Sequence, residues 1–242
     1  MFNTDYLISL LLSIPGVLLA LSVHECAHGW VSYKLGDPTA KNLGRLTLNP
    51  VKHINPLGLV CMILFRFGWA NPVPVNARYY KKPRRDMALV AAAGPVSNLI
   101  MGFLGMFSVF LSYFIYSAVA SDPIAFYKLW NGALSSTPPV MEVFSAKLMY
   151  LLFVLFIQFA VLNVSLAVFN LLPIPPLDGS RIAYIFLPPK FYFGIMRYER
   201  IIMIVMFVLL WAGAFSGVLS AASSWLLNRM LALIQLIPIF RF

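Results

Sequence analysis

Charged residues are scarce in this chain, and acidic residues are the scarcest of them. Only 11% of its 242 residues are charged and 61% are hydrophobic, whereas soluble domains average about 25% charged and roughly 45–50% apolar residues. This composition excludes a disordered chain and argues against a soluble globular domain. Its two cysteines are too few for a disulfide framework. A nucleic-acid-binding domain is also disfavoured despite the net charge of +10, because the cations lie in short breaks between long uncharged runs.

Four runs without Asp, Glu, Lys or Arg approach or exceed the roughly 20 apolar residues that a transmembrane helix needs. They are Tyr6–Val23, Met87–Ser121, Leu148–Leu177 and Ile201–Asn228. The first run continues as an apolar helix to Tyr33. Ala222–Phe240 is a fifth candidate, but Arg229 interrupts it, so it fits a span and an interfacial helix equally well. The sequence therefore predicts an all-α polytopic membrane protein with four to five transmembrane helices.

The basic residues predict how these helices are oriented. Of the 18 Lys and Arg residues, ten lie between Lys34 and Arg85 and four lie between Arg181 and Arg200. Cytoplasmic loops are enriched in such residues, so both stretches are predicted to be cytoplasmic and the N-terminus external. Anionic lipid headgroups are a further expected contact. We expect a single membrane-embedded domain over residues 1–242, with a core at 6–181 and C-terminal helices at 200–240.

Two histidines and a glutamate lie together near the end of the first predicted helix, in the segment His24-Glu25-Cys26-Ala27-His28. Residues i and i+4 of a helix share a face, so His24 and His28 can present ring nitrogens to one Zn²⁺. Glu25 lies about 100° further around the helix and can reach a water at the metal without being a ligand. The alternative is a group of polar residues at headgroup level. Ionisable groups at membrane depth are costly and usually functional, which favours the metal site.

A proline-rich segment, Asn170–Gly179, ends the third apolar run, and Asp178 follows its prolines. Three prolines within Pro173–Pro176 cannot continue a helix, and non-helical backbone at membrane depth is tolerated where protein or a water-filled cavity covers it. A catalytic zinc site commonly has three protein ligands and an open position, and the Asp178 carboxylate suits the third ligand. A simple turn at the membrane surface is the alternative.

The loop Lys41–Tyr80 contains three Asn-Pro pairs and an apolar stretch, Gly58–Phe65, that is too short to span a bilayer. Residues before proline favour extended backbone. We therefore predict a re-entrant extended or β-hairpin segment that dips into the cytoplasmic leaflet, with an ordinary interfacial loop as the alternative. His53 has no ligand partner at a useful spacing, so we predict a surface position for it.

Small residues open the second apolar run at Ala91–Asn98, where they permit close helix contact in membranes. A packing role is the favoured interpretation of this segment, and a polar Asn98 near the site is the functional alternative.

Three motifs follow one another in an order and spacing that resembles the site-2 protease family of intramembrane zinc metalloproteases. They are His24–His28, Ala91–Asn98 and Asn170–Gly179. The resemblance covers roughly Leu7 to Arg181, and Phe67–Asn76 and Pro83–Met87 also look like the compact prokaryotic members. From these residues we expect no helix before the metal-binding one and no PDZ or CBS domain, and Ala77 stands where the family pattern would have a further proline.

The resemblance implies one Zn²⁺ per chain and a role for five residues. The zinc ligands are His24, His28 and Asp178, the catalytic base is Glu25, and Asn170 is the candidate for contact with the substrate carbonyl. Two further candidates for substrate contact come from the residues themselves: Asn76 from the Pro-rich extended pattern of Asn71–Asn76, and Asn98 from its polar side chain in an apolar run. The implied activity is hydrolysis of peptide bonds within transmembrane segments, either in regulated intramembrane proteolysis or in clearance of signal-peptide remnants. The implied partners are a transmembrane peptide or protein and the lipid bilayer of a prokaryotic cell, with the site toward the cytoplasm. The oligomeric state stays open.

Two other classes of function compete with this interpretation. A metal-ion transporter needs polar groups spaced through the membrane, but the ionisable groups cluster at one depth, with only Asn98, Gln158 and Asn163 as obvious additions. A non-catalytic membrane scaffold would have no need of the base Glu25.

Overall fold

Long apolar helices dominate the fold, which a computed structural model describes for residues 4–65, 68–120 and 144–237. The helices are α1 (Thr4–Lys34), α2 (Thr39–Asn42), α3 (Pro56–Phe65), α4 (Pro83–Ala120), α5 (Phe144–Asn170), α6 (Asp178–Ala183), α7 (Pro189–Met196), α8 (Glu199–Trp211) and α9 (Ser216–Ile234). Two short 3₁₀ turns lie at Pro50–Lys52 and Ala77–Tyr79. The predicted connection between the second and third spans lies mostly outside the described residues.

Three helices of the described residues are long and apolar enough to cross a membrane. They are α4 over Pro83–Tyr116, α5 over Leu148–Asn170, and α9 over Ser216–Ile234. The helix α1 has 31 residues, about 46 Å at 1.5 Å per residue, which exceeds the roughly 30 Å of a hydrocarbon core. The all-helical membrane architecture is therefore supported, while four to five spans and their orientation stay predictions.

The fourth predicted run is divided rather than continuous. Helix α8 ends at Trp211 and α9 begins at Ser216. Between them Gly213 has a φ of 76°, in the left-handed region that a glycine adopts without steric cost. The predicted span Ile201–Asn228 is therefore wrong in its bounds.

The loop after α1 departs from the predicted hairpin. Ile54 and Ala70 form an isolated antiparallel bridge. The residues between them in the sequence form α3, and the described part of this loop contains no strand. The Asn55 side chain accepts a hydrogen bond from the Gly58 N–H at 3.0 Å, and Pro56 is the first residue of α3. An asparagine cap followed by proline favours a helix start as well as a turn, and the apolar stretch continues the helix.

Helices α4 and α5 approach closely because glycines face small residues between them. A Cβ built at Gly102 would lie 2.8 Å from Val164 Cγ2, and one at Gly105 would lie 3.1 Å from the Ala160 backbone nitrogen. Nearby, Phe110 and Phe153 are fully buried in the main apolar cluster. Small residues at a helix crossing permit the close contact that holds membrane helices together. This packing brings the ends of α1, α4 and α5 to one place.

Candidate metal centre

The imidazoles of His24 and His28 and the carboxylate of Asp178 meet at one point. The two Nε2 atoms are 3.0 Å apart, and Asp178 Oδ2 lies 3.2 Å from His24 Nε2 and 3.4 Å from His28 Nε2. Zinc bonds of about 2.0–2.2 Å at tetrahedral angles place ligand atoms about 3.3–3.6 Å apart, and somewhat closer where the angles are compressed. The three side chains therefore have the spacing of a zinc site with one position left for a water or substrate.

Each histidine ring is held through its Nδ1, and among the described residues its Nε2 has no backbone partner. His24 Nδ1 lies 2.5 Å from Asn98 Oδ1, and His28 Nδ1 lies 2.7 Å from the Val90 carbonyl oxygen. Since both partners are acceptors, each Nδ1 carries the hydrogen and donates it. Each Nε2 lone pair then faces Asp178, which is the arrangement of metal-binding histidines whose other nitrogen is fixed by a second partner. The donor set thus fits a divalent zinc ion.

Asp178 reaches this point because the chain turns sharply after α5. The helix ends at Asn170, and the prolines that follow cannot donate the backbone hydrogen bonds of a further turn. Asp178 then starts α6. Gly179 makes the turn possible, since a Cβ there would overlap the carbonyl oxygens of Leu171 and Leu172. The proline-rich segment was predicted to end the helix here, and the structure confirms this.

Two hydrogen-bonded asparagine side chains, Asn98 of α4 and Asn163 of α5, support the His24 ring. Asn98 and Asn163 are both fully buried. Asn98 Nδ2 donates to Asn163 Oδ1 at 2.9 Å, and Asn163 Nδ2 donates to the Phe159 carbonyl at 2.9 Å. Asn98 therefore lies behind the His24 ring, away from the metal-facing nitrogens. Sequence reasoning assigned Asn163 only to a transporter path, although a polar residue within an apolar run was the available signal.

Glu25 lies beside the three metal-facing groups and is tied to the loop that covers them. Its Oε2 accepts a hydrogen bond from the Val73 backbone N–H at 2.7 Å, and the residue is only 9% exposed. The remaining carboxylate oxygen has no such partner among the hydrogen bonds of the described residues. The sequence could not reveal the Val73 contact, because the two residues are 48 positions apart.

A cavity of about 190 Å³ opens at this place. Its lining includes His24, Glu25, His28, Pro72, Val73, Val75, Asn170, Asp178 and Arg181. Of the three asparagines predicted to contact substrate, Asn170 lines the cavity and Asn98 and Asn76 do not. The Asn76 side chain accepts from the Arg78 N–H at 3.1 Å. Arg181 was not singled out from the sequence; its place three residues after Asp178 was the only signal.

His53 is not a surface residue, so that prediction is wrong. It is only 1% exposed, and its Nε2 donates to the Thr47 carbonyl oxygen at 2.8 Å. The loop folds back over it, because the Asn71 N–H donates to the His53 carbonyl at 2.7 Å. It lies outside the metal-facing group of the described residues.

Gly94 leaves just enough room for the two imidazoles. A Cβ built there would overlap ring atoms of both His24 and His28. We expect Gly94→Ala to weaken zinc binding about tenfold or more, since overpacking costs about 1–3 kcal/mol. Titration of purified protein with a competing chelator measures this. Gly217→Ala is the control, because an added Cβ there meets nothing within 4 Å. Equal zinc affinity in both variants would contradict the expectation.

The fold and site together define a class, a helical membrane protein with a buried His-His-Asp metal site beside a glutamate. Residues 13–213 match the model of Peptidase family M50, and the chain belongs to this family, the site-2 protease family. The resemblance seen in the sequence is thereby confirmed. Membership and the three long apolar helices agree with an integral membrane protein.

The similar proteins are bacterial. YwhC of Bacillus subtilis, a candidate zinc metalloprotease by its name, is 41% identical over 177 residues, which cover 72% of this chain and 68% of YwhC. Rip2 of Mycolicibacterium smegmatis, named in the same way, is 31% identical over 175 residues, covering 70% of this chain and 54% of Rip2. Rip2 of Mycobacterium tuberculosis is 28% identical over 221 residues, covering 89% and 72%. No solved structure gives a significant match.

Proposed function

We propose that this chain is an intramembrane zinc-dependent endopeptidase, which hydrolyses peptide bonds within transmembrane segments of membrane proteins. The convergence of His24, His28 and Asp178 beside Glu25 carries the proposal. The names of YwhC and Rip2 describe zinc metalloproteases and so agree with it. Both histidines lie on the long helix α1, which packs against the long apolar helices α4 and α5, and this placement favours chemistry at membrane depth.

The roles of the residues follow from their positions. His24, His28 and Asp178 would hold a zinc ion, which when bound would supply a Lewis acid to lower the pKa of a water toward about 7 and to polarise the scissile carbonyl. Glu25 accepts a proton from water and delivers it to the leaving amine. Asn170 orients the substrate carbonyl from the cavity wall, where its Nδ2 is already held by the Leu166 carbonyl at 3.0 Å.

The substrate has to unwind before it is cut, because the backbone groups of a transmembrane helix are bonded to one another. Asn71–Asn76 is free of helix and passes along the cavity through Pro72, Val73 and Val75. We infer that this segment pairs with the unwound strand, as in β-strand addition. Asn76 then acts through the segment's conformation, since its side chain caps the following turn.

A second and much larger cavity supports entry from the bilayer. Its volume is about 1430 Å³, and its mostly apolar walls come from α1, α5 and α9 and from the loop between Pro50 and Ala70. It reaches Ser22, two residues before His24, and Phe169, next to Asn170. A transmembrane segment lying in this cavity would therefore reach the metal site from the side.

The cellular setting is part of the same proposal. The cation-rich stretches Lys34–Arg85 and Arg181–Arg200 favour a site on the cytoplasmic side of a prokaryotic cell membrane, with the N-terminus outside. A protease there would release a signalling protein's membrane anchor or clear signal-peptide remnants.

Reconstitution in liposomes tests the proposal. With a panel of single-span membrane peptides, we expect cuts within the apolar stretch, mapped by mass spectrometry, which chelation stops and added zinc restores. The same vesicles, loaded with a zinc-sensitive dye, give the control measurement. Zinc entry without any peptide cut would overturn the proposal in favour of a transporter.

A further inference from the structure

Asp37 is a buried acidic residue outside the metal site, and it holds four hydrogen bonds. It is fully buried. Its Oδ1 accepts from the Thr39 N–H at 2.9 Å and from Thr39 Oγ1 at 2.5 Å. Its Oδ2 accepts from Ser32 Oγ at 2.8 Å and from the Asn76 backbone N–H at 2.7 Å. The carboxylate therefore ties the end of α1 and the start of α2 to the segment that covers the metal site.

The prolines that precede Asn76 leave this segment with few backbone donors. Pro72 and Pro74 have no N–H, so Val73, Val75 and Asn76 supply the backbone donors of Pro72–Asn76. The Asn76 N–H donates to Asp37, and the Val73 N–H donates to Glu25.

The two carboxylates thus hold one short segment at two of its backbone N–H groups. Glu25 lines the cavity at the metal site, whereas Asp37 is not among the lining residues. If Asn76 is released, the segment is free to shift, and the Val73 N–H no longer fixes the carboxylate that has to accept the proton. A misplacement of about 1 Å at a reacting group can cost a hundredfold in rate.

We propose, on the basis of the proposed peptidase function, that Asp37 is a positioning residue that anchors Asn76 and thereby holds the Val73–Glu25 contact in place. Asp37 is neither one of the three metal-facing side chains nor one of the residues that line the cavity. Its action is on the geometry of the base and of the strand offered to substrate, and not on zinc binding.

The charge state of Asp37 agrees with this role. Burial raises its pKa, but hydrogen bonds from Thr39, Asn76 and Ser32 outweigh burial and hold the pKa below its ordinary value. The group is therefore an ionised carboxylate at neutral pH, able to accept at both oxygens.

Asp37→Asn is the informative change, because it keeps the size and one acceptor oxygen. That oxygen satisfies the two Thr39 donors, so the new NH₂ faces the Asn76 N–H and the anchor is lost. Thr39→Val is the matched control, since it removes a hydroxyl from the same carboxylate and leaves the Asn76 bond. Both variants are compared with wild type in full-length purified protein for zinc content, kcat and KM on a transmembrane peptide.

Amide hydrogen exchange over Asn71–Asn76 supplies a readout that needs no substrate. The two prolines carry no amide, so the signal comes from few positions, with Val73 and Asn76 among them. We expect exchange about tenfold faster and kcat about ten- to a hundredfold lower in Asp37→Asn, with zinc content unchanged. Thr39→Val should stay within about twofold of wild type in all three.

Three results would overturn the proposal. They are unchanged exchange in Asp37→Asn, faster exchange with unchanged kcat, and a loss of zinc that accounts for the loss of activity. A wild-type protein that cuts no peptide refutes the proposed function instead, and the exchange measurement then still decides whether Asp37 anchors the segment.

Discussion

Glu25→Ala is expected to remove proteolysis while the protein keeps its zinc. The carboxylate lies beside the metal-facing group without belonging to it, so its loss takes away the proton acceptor and leaves the ligands intact. General acid–base groups contribute about 10²- to 10⁴-fold to a rate. We expect a loss in kcat of at least that size, measured on a transmembrane peptide in liposomes, with zinc content determined on the same sample.

Glu25→Gln separates the two tasks of this side chain. Glutamine still accepts the Val73 N–H through its carbonyl oxygen but does not take a proton from water. We expect it to be as inactive as Glu25→Ala while hydrogen exchange at Val73 stays near wild type. Glu199→Gln, in the first turn of α8 and away from the cavity lining, is the control and should retain activity. Full activity of Glu25→Ala would end the proposed mechanism.

Comparison of the wild-type protein with Glu25→Ala in the native cell identifies substrates. Membrane peptides that accumulate with Glu25→Ala and not with wild type are the uncut substrates. Peptides shortened within an apolar stretch in wild type only are the products. An identical set in both strains would argue that the metal site serves another purpose.

The helical parts of the site could be predicted because their geometry is local. His24 and His28 share a face of α1 whatever the rest of the chain does, and the prolines after Asn170 end α5 by their own stereochemistry. Asp178 could be paired with the histidines only through its chemistry and its expected side of the membrane. The structure adds the distances of 3.2 and 3.4 Å from Asp178 Oδ2 to the Nε2 atoms of His24 and His28, which place all three groups around one metal position.

The supporting contacts could not be predicted, because they depend on how separate segments pack. Glu25 with Val73 and Asp37 with Asn76 are pairs far apart in the sequence, and each joins a carboxylate to a backbone N–H that no sequence pattern marks. Asn98 was read from the sequence as packing or substrate contact, and its actual neighbour is the back of the His24 ring. Polar residues in apolar runs are thus good signals for a site and poor signals for a role.

The short helix α3 shows why the sequence of this loop does not distinguish a hairpin from a helix. Asn-Pro starts a turn and also caps a helix, since the proline φ suits both and the asparagine side chain accepts from a nearby N–H in each. The choice depends on the residues after it. Pro56–Phe65 has apolar residues on every side with little separation of faces, so the pattern gave neither a strand alternation nor a helical stripe.

Asp178→Ala is expected to release zinc and, with it, all activity. The carboxylate is the group from α6 that closes the site opposite the two imidazoles. Changes that only disturb a ligand's partner already cost about 10- to 100-fold in metal affinity, so loss of the ligand itself should exceed a hundredfold. Metal analysis of purified protein and chelator competition measure this directly.

Asp86→Asn is the matched control for this variant, because Asp86 is also a buried carboxylate, 2% exposed. It accepts the Lys82 N–H at 2.9 Å at the start of α4 and lies outside the cavity lining, so its zinc affinity should be that of wild type. Equal zinc affinity in Asp178→Ala and wild type would mean that two histidines hold the metal without it. Zinc loss in Asp178→Ala together with zinc retention in Glu25→Ala would separate zinc binding from catalysis within one cavity. This outcome is expected because Asp178 is one of the three metal-facing side chains and Glu25 lies beside them.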